Sequence, residues 1–199
     1  MADSVTYTYT GNAFATCNGT YSGTCTNETA SFTLAAPLGD NLNADNIASL
    51  VTAFSISDGS GLKLNLSTPG LFGAVYVDTN SSGNITAWSI DAGVCNASCF
   101  TENFIITESG LVLGTPAPGF ALDFATINYG PPSNPCFALG SFDAGACALL
   151  DTAYTFDTPG TWTVSTPEPS GLVLLSVGLI GLIALASRRR TGRLSNQSV

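Results

Sequence analysis

Short runs in which apolar and polar residues alternate are the feature that most limits the folds open to this chain. "VTYTYTG" (5–11), "TASFTLAAPL" (29–38) and "LKLNLS" (62–67) follow this pattern, and "FALDFATINYG" (120–130) is a further short run rich in strand-forming residues. Successive side chains of a strand point to opposite faces of its sheet, so a period of two predicts half-buried β-strands. Gly, Asn, Asp and Pro bound most of the runs, as is typical of turns. We therefore predict an all-β domain of eight to eleven strands, folded as an antiparallel sandwich or jelly roll.

Charged residues are few and unevenly distributed. Asp and Glu total 14 and Lys and Arg total 5, and residues 1–170 contain Lys63 as their single basic residue. A surface of this sign repels the phosphates of nucleic acids, so we expect no nucleic-acid partner. The chain also contains no histidine, which removes the commonest general base and the commonest metal ligand. We therefore expect a protein that is not an enzyme and that uses no cofactor.

The six cysteines lie in three local pairs. An even number of cysteines in an acidic chain without histidine is typical of disulfides formed in an oxidising compartment. Proximity favours pairing of Cys17 with Cys25, Cys95 with Cys99 and Cys136 with Cys147, although sequence alone does not fix the connectivity. A zinc site is the alternative, but zinc ligands are usually closer Cys-x-x-Cys pairs, and only Cys95 and Cys99 approach that spacing.

The C-terminal residues combine prolines, an apolar segment and a basic cluster. Pro167 and Pro169 lack a backbone N–H and favour extended backbone in the residue before each, which predicts an exposed linker. Residues 171–187 carry no charge, and their length is near the lower limit for a transmembrane helix. A buried core helix is the alternative, but such a helix normally has one polar face. We predict an exported domain, a linker, a transmembrane helix and a basic cytoplasmic tail at residues 1–164, 165–170, 171–187 and 188–199.

The order of these parts resembles a known sorting signal. Pro167, Glu168 and Pro169 precede the apolar segment, and Arg188, Arg189 and Arg190 follow it, where a positive-inside cluster would hold the helix end in the cytoplasm. This arrangement resembles the PEP-CTERM signal of Gram-negative bacteria, although nine residues follow Arg190 here, more than is usual in that family. The stretches "YTYTGNAF", "ASFTLAAPLGDNL", "AFSISDG" and "GNITAWSI" also resemble the small β-rich extracellular region of PEP-CTERM proteins.

The resemblance implies a processing route and a location. An exosortase, a membrane-embedded cysteine protease, would recognise Pro167–Pro169 and remove the helix and the arginines. The precursor would be a single-pass protein of the cell envelope with its N-terminal domain outside the cytoplasm, and the processed protein would be at the cell surface or extracellular. Residues 1–10 contain neither the basic nor the apolar region of a signal peptide, so we expect either an in-frame start upstream of Met1 that supplies one or a leader that has been removed from this sequence.

These observations predict an exported surface or biofilm-matrix protein whose partners are an exosortase and, through residues 171–187, the lipid bilayer. Exopolysaccharide is a further candidate partner. The first alternative function is therefore a polysaccharide-binding module, in which exposed aromatic rings stack on sugars. Its candidate residues are Trp88, Trp162, Tyr7, Tyr9, Tyr76 and Tyr129. The second alternative is a carboxylate-dependent glycosidase that uses a pair such as Glu102 and Glu108.

One loop has the oxygen spacing of a calcium site. In "DTNSSGN", Asp78, Asn80 and Ser82 occupy positions one, three and five, and Gly83 follows, as in a calcium-binding loop. Position twelve, where such a loop carries a glutamate, is Ser89. A hairpin turn explains the same residues, because Asn and Gly favour tight turns. We favour the turn and predict no metal site.

Overall fold

The computed structural model describes residues 4–95, 102–129, 137–138, 141–142 and 151–166. The chain divides into two compact units, Met1–Ser165 and Thr166–Val199, and the second unit contributes only Thr166 to the described residues. Within the described ranges, no helix is long and apolar enough to cross a membrane. The predicted linker motif, transmembrane helix and basic cluster lie outside them.

The described residues are all-β, which confirms the predicted fold class. Two 3₁₀-helices, Gly19–Tyr21 and Ala48–Leu50, accompany the strands. In chain order the strands are β1 (Val5–Ala13), β2 (Thr16–Cys17), β3 (Asn27–Leu34), β4 (Asp45–Asn46), β5 (Val51–Ser57), β6 (Lys63–Asn65), β7 (Leu71–Thr79), β8 (Ile85–Cys95), β9 (Glu102–Val112), β10 (Thr115–Tyr129), β11 (Phe137–Ala138), β12 (Ser141–Phe142), β13 (Asp151–Phe156) and β14 (Thr161–Ser165). The described part thus has more strands than predicted, because β2, β4, β11 and β12 are too short to show an alternating pattern.

The first large sheet contains five antiparallel strands in the order β14-β1-β3-β5-β6. In β1, Val5, Tyr7 and Tyr9 are buried, whereas the threonines between them are half-buried or exposed. This is the alternation expected of a sheet with one face in the core. The first strand of the chain therefore lies between β3 and the last described strand, β14.

The second large sheet contains seven strands in the order β2-β13-β10-β9-β8-β7-β4, and β11 and β12 form a separate two-stranded sheet. The described strand pairs of the large sheet are antiparallel. On its outer face the rings of Phe104 and Phe124 stack with centroids 5.4 Å apart, and Ile106 and Leu122 are buried. Burial of both faces explains why β9 and β10 carry apolar residues at consecutive positions.

The two large sheets pack face to face in a sandwich-like arrangement around an aromatic core. Tyr7 and Phe32 stack with ring centroids 5.0 Å apart, and both belong to the five-stranded sheet. Tyr9 reaches across to Trp88 of the seven-stranded sheet, with centroids 5.3 Å apart. Contacts of this kind add to the hydrophobic stabilisation of a core. The same interface contains three buried carboxyl groups.

Candidate functional site

A disulfide loop closes one end of the sandwich. Cys17 and Cys25 are bonded, which confirms the predicted pair. Cys17 belongs to β2 of the seven-stranded sheet, and Cys25 lies two residues before β3 of the five-stranded sheet. The bond therefore links the edge of one sheet to the segment that enters the other. We call residues Cys17–Cys25 the disulfide loop.

The interior of the disulfide loop also contacts both sheets. The backbone N–H of Thr20 donates to Asp151 Oδ1 of β13 at 2.8 Å. The hydroxyl of Tyr21 donates to Asp58 Oδ2, directly after β5, at 2.7 Å. Tyr21 is buried, and this burial together with the bond to Asp58 raises the pKa of its hydroxyl. Covalent, backbone and side-chain bonds therefore hold the loop across the same end of the sandwich.

Asp58 is a buried carboxylate with a full set of donors. Its Oδ1 accepts the backbone N–H groups of Ser60, Gly61 and Leu62 at 2.8, 2.9 and 3.0 Å. Its Oδ2 accepts the Tyr21 hydroxyl. These four donors satisfy the hydrogen-bonding capacity of a carboxyl group that is closed to water. The sequence "DGSGL" supplies this arrangement because its glycines permit the tight turn that directs successive N–H groups to one oxygen.

Glu28 is the opposite case, a buried carboxyl group without donors. It lies in β3 with its side chain fully buried, and neither oxygen has a hydrogen-bond partner. Burial raises the pKa of Glu28 well above its ordinary value of 4.5, and the nearby charges of Asp123 and Asp58 raise it further. The backbone N–H of Phe124 offsets part of this rise, although it lies outside normal hydrogen-bond geometry with either oxygen. Burial and the two neighbouring carboxylates therefore favour the neutral, protonated form of Glu28.

Asp123 of β10 completes the cluster. The Tyr9 hydroxyl donates to its two oxygens at 2.8 and 2.9 Å, and the Gly160 N–H donates to the Tyr9 oxygen at 2.8 Å. Burial raises the pKa of Asp123 from 3.8 to about 6, and the hydroxyls of Thr107 and Tyr9 limit the rise. Gly11 lies against the carboxylate, because a Cβ at position 11 would clash with Asp123 Oδ2. We call Glu28, Asp58 and Asp123 the buried carboxyl cluster.

The chemistry open to this cluster is proton binding. Each of the three side chains is at most 2% exposed, so a substrate has no access to them in this conformation. Among the residues that the structure describes, no group of three or more His, Cys, Asp or Glu side chains has the arrangement of a metal site. A buried carboxyl without a cation or donors takes up a proton instead. The cluster therefore links the protonation of the domain to the integrity of its fold.

Loss of the Cys17–Cys25 bond should destabilise the domain. A closed loop of this length is expected to contribute about 2.5 kcal/mol by restricting the unfolded chain. We expect the Cys17→Ser/Cys25→Ser variant to lose about this much free energy of unfolding in urea at pH 7. Peptide mapping of the wild-type protein under non-reducing conditions should recover a linked Cys17–Cys25 pair, and recovery of both cysteines as free thiols would contradict the structure.

Most other predicted site residues lie outside the residues that the structure describes. This applies to Pro167, Glu168, Pro169, Arg188, Arg189 and Arg190 of the sorting motif, and to Cys99, Cys136 and Cys147. Cys95 ends β8, but its side chain is not described. Pairing of Cys95 with Cys99 and of Cys136 with Cys147 therefore stays a prediction.

The loop with calcium-like spacing forms a hairpin turn between β7 and β8. Asp78 Oδ1 accepts the backbone N–H of Ala44. Asn80 Oδ1 accepts the N–H groups of Ser82 and Asn84 at 2.9 and 3.1 Å, and Gly83 has a positive φ of 71°. Backbone amides thus donate to Asp78 Oδ1 and Asn80 Oδ1, and these contacts are those of a tight turn.

The aromatic residues considered for sugar stacking are mostly internal. Tyr7, Tyr9 and Trp88 are 3%, 0% and 5% exposed, so these three cannot form a surface platform. Trp162 is half-buried and packs edge-on against Trp88, with ring centroids 5.7 Å apart. Tyr76 is half-buried, and the side chain of Tyr129 is not described. Strand aromatics act here mainly as core residues.

Glu108, one member of the suggested glycosidase pair, is also buried. Its Oε1 accepts the Ser89 hydroxyl at 2.8 Å and the Leu113 N–H at 3.1 Å. Burial raises its pKa. These bonds brace the turn between β9 and β10, in which Leu113 and Gly114 have φ values of 46° and 75°. The side chain of Glu102 is not described, so its pairing with Glu108 stays a hypothesis.

Sequence reasoning missed Glu28, Asp58 and Asp123, although two signals were present. In "NETASFTL", Glu28 is in phase with Ala30, Phe32 and Leu34, the buried positions of β3. An acidic residue on the apolar phase of a strand predicts a buried carboxyl group. The aspartate-glycine pair at 58–59 is also typical of a turn whose amides bind the aspartate side chain. Nothing local marks Asp123, whose partner Tyr9 is 114 residues away in sequence.

Two clefts open on the described surface. The larger, of about 380 Å³, is lined by Leu34, Pro37, Leu38, Leu42 and Leu50 among others. The smaller, of about 170 Å³, is lined mainly by apolar residues of β5, β7 and β8. Asp45 and Asp91 are the only ionisable residues in these linings, so neither cleft contains a catalytic acid–base pair. Comparison with protein-family models, characterised proteins and solved structures finds no match for this chain.

Proposed function

We propose that this protein is an exported bacterial surface or extracellular-matrix protein whose C-terminal segment is a PEP-CTERM sorting signal processed by an exosortase. The order of parts in residues 165–199 carries the proposal. A Pro-Glu-Pro motif precedes an uncharged segment, and Arg188–Arg190 follow it. The protein has no catalytic activity of its own, and its β domain is the part delivered outside the cytoplasm.

Two features of the described domain support export. The first is the Cys17–Cys25 bond, since disulfides persist in oxidising compartments such as the periplasm and the cell surface. The second is its polar composition: residues 1–170 carry one basic residue, and the exposed positions of β1 and β14 are mainly threonine, serine and asparagine. Such a surface remains hydrated without ion pairs and repels anionic lipid headgroups.

The proposal is tested by following the C-terminus of the full chain. We would express the protein behind a secretory leader, with an epitope after Val199, in a host with an exosortase-type protease and in the same host without it. In the first host the processed protein should lose the epitope, and its mass should correspond to a chain that ends near Pro169. In the second host the epitope should remain and fractionate with membranes.

A motif variant and a matched control complete the test. Pro167→Ala/Glu168→Ala/Pro169→Ala should keep its epitope in the protease-containing host. Pro159→Ala, which changes a proline of the folded domain, should be processed like the wild type. Retention of the epitope on the wild-type chain, in a host that processes its own substrates, would refute the proposal.

A further inference from the structure

We propose that closure of the disulfide loop seals the Glu28 carboxyl group from water, so that formation of the Cys17–Cys25 bond and uptake of a proton by Glu28 are coupled. The observation that carries this inference is the position of a fully buried, unpartnered carboxyl three residues after Cys25. The coupling itself rests on the described residues. Its biological use, described below, rests on the proposed export of the protein.

The contacts of the loop connect it to the surroundings of Glu28. Tyr21 donates to Asp58, one of the two carboxylates whose charges act on Glu28. Thr26, between Cys25 and Glu28, donates its hydroxyl to the backbone oxygen of Asp58 at 2.7 Å and accepts the Phe14 N–H at 2.8 Å. Release of the loop would free Tyr21 and loosen this segment, and water could then reach the first residues of β3.

Among the residues that the structure describes, the ionisable groups around Glu28 are not cationic, which leaves a proton to neutralise it. Asp123 faces it from β10 and Asp58 from the turn after β5. Tyr9 of β1 is bonded to Asp123, and Tyr21 is bonded to Asp58 and lies within the field of Asp151 of β13. None of these five groups is cationic. An ionised Glu28 would therefore meet two carboxylates and no positive charge in a site closed to water.

The redox step is balanced by an external dithiol or disulfide. Oxidation by a disulfide-exchange protein removes two electrons and two protons from the Cys17 and Cys25 thiols and forms the S–S bond, while the oxidant's disulfide becomes a dithiol. Reduction reverses each part. Cys17 is half-buried and Cys25 is exposed, so a reagent can reach the bond.

Linkage requires the coupling to act in both directions. Closure of the loop favours protonated Glu28, so ionisation of Glu28 must favour the open loop by the same factor. In a reducing compartment the loop end would be open, and the open loop favours the ionised form of Glu28, which disfavours the finished sandwich. After export, oxidation would close the loop and Glu28 would take up its proton. If the protein is exported as proposed, this coupling prevents the domain from completing its fold until it has left the cytoplasm.

The test measures the titration of Glu28 in the full chain with the loop closed and open. The chain contains four glutamates, so selective ¹³C labelling of glutamate side-chain carboxyls gives four NMR signals. Glu28→Gln assigns the signal of Glu28. We would titrate the full chain in mild detergent, as the oxidised wild type and as Cys17→Ser/Cys25→Ser. Opening of the disulfide loop should weaken proton binding by Glu28 at least tenfold. The midpoint of the Glu28 titration should therefore fall by at least about one pH unit. Equal midpoints would overturn the proposal.

Two controls separate loop opening from unfolding. The indole N–H signals of Trp88 and Trp162 report the folded core, and they should stay dispersed in the serine variant. If that variant unfolds, Tyr21→Phe with the disulfide intact replaces it, and the Glu28 midpoint should fall by a smaller amount. An unchanged midpoint in a folded Tyr21→Phe would also overturn the proposal. Cys95→Ser/Cys99→Ser should leave the Glu28 midpoint unchanged. The experiment uses purified protein, so its result is independent of C-terminal processing.

Discussion

Replacement of Glu28 by methionine should stabilise the domain at pH 8 by about 4 kcal/mol, because folding of the wild type at this pH requires either a proton on Glu28 or a buried charge without a partner. The folded-state pKa of Glu28 lies above its unfolded value of 4.5, so the unfolded chain releases this proton more readily. The stability of the wild type therefore falls as pH rises from about 4.5 toward the folded-state pKa. At pH 4 the gain should shrink to about 1–2 kcal/mol, the effect of a neutral polar group buried without partners. Urea unfolding across this pH range measures the difference.

Glu28→Gln separates charge from polarity in this experiment. Glutamine cannot ionise but still buries an unpartnered amide, so Glu28→Gln should match the wild type at pH 4 and exceed its stability at pH 8. Asp123 also lowers the free energy of unfolding as pH rises from 3.8 to about 6, because its folded-state pKa is raised. This decrease is about 3 kcal/mol, and it cancels when the variants are compared with the wild type. A Glu28→Met stability gain that is the same at pH 4 and pH 8 would show that Glu28 does not titrate differently on unfolding.

Removal of the Tyr9 hydroxyl should have the second large effect, a loss of about 3 kcal/mol at pH 8 in Tyr9→Phe. The hydroxyl donates to a buried carboxylate and accepts the Gly160 N–H, and loss of a bond to a charged group is the more costly of the two. Asp123 is protonated below pH about 6, so the loss should decrease to about 1–2 kcal/mol at pH 4.5. Chemical unfolding at the two pH values gives both numbers.

Tyr7→Phe is the matched control for Tyr9→Phe. Tyr7 belongs to the same strand and is equally buried, but its hydroxyl only accepts the Leu38 N–H at 2.8 Å. Its removal should lose about 1 kcal/mol at both pH values, because no charged partner is involved. If Tyr9→Phe behaves like Tyr7→Phe at both pH values, the Tyr9–Asp123 bond does not stabilise a charged carboxylate.

Local sequence patterns were sufficient to predict the strands that have one buried face. The alternation in residues 5–11 and 29–38 predicted β1 and β3, since each alternates core and outer positions. The turn preferences of Asn and Gly in "DTNSSGN" predicted the hairpin of β7 and β8, and close spacing predicted the Cys17–Cys25 bond. The two-residue strands carry too little sequence to show any period.

The buried carboxyl cluster depends on pairings that no local pattern contains. Asp123 is in a strand buried on both faces, so alternation gives no sign of which neighbour it meets. Its contact with Tyr9 and the position of Gly11 against it require the two sheets to be stacked in one particular register. For the same reason Tyr7, Tyr9 and Trp88 were considered as surface aromatics, although cross-sheet packing buries them.

The position of β1 between β3 and β14 sets the order in which the domain can be completed. β1 pairs with residues up to Ser165, so the five-stranded sheet stays one strand short until nearly the whole domain has been synthesised. The Gly160 amide that supports Tyr9 arrives with the same last segment. Contacts between such distant parts of a chain form slowly. A nascent chain tethered by its C-terminus would therefore finish folding only when the segment next to the tether emerges, and truncation before Thr161 would leave β1 as an exposed edge prone to aggregation.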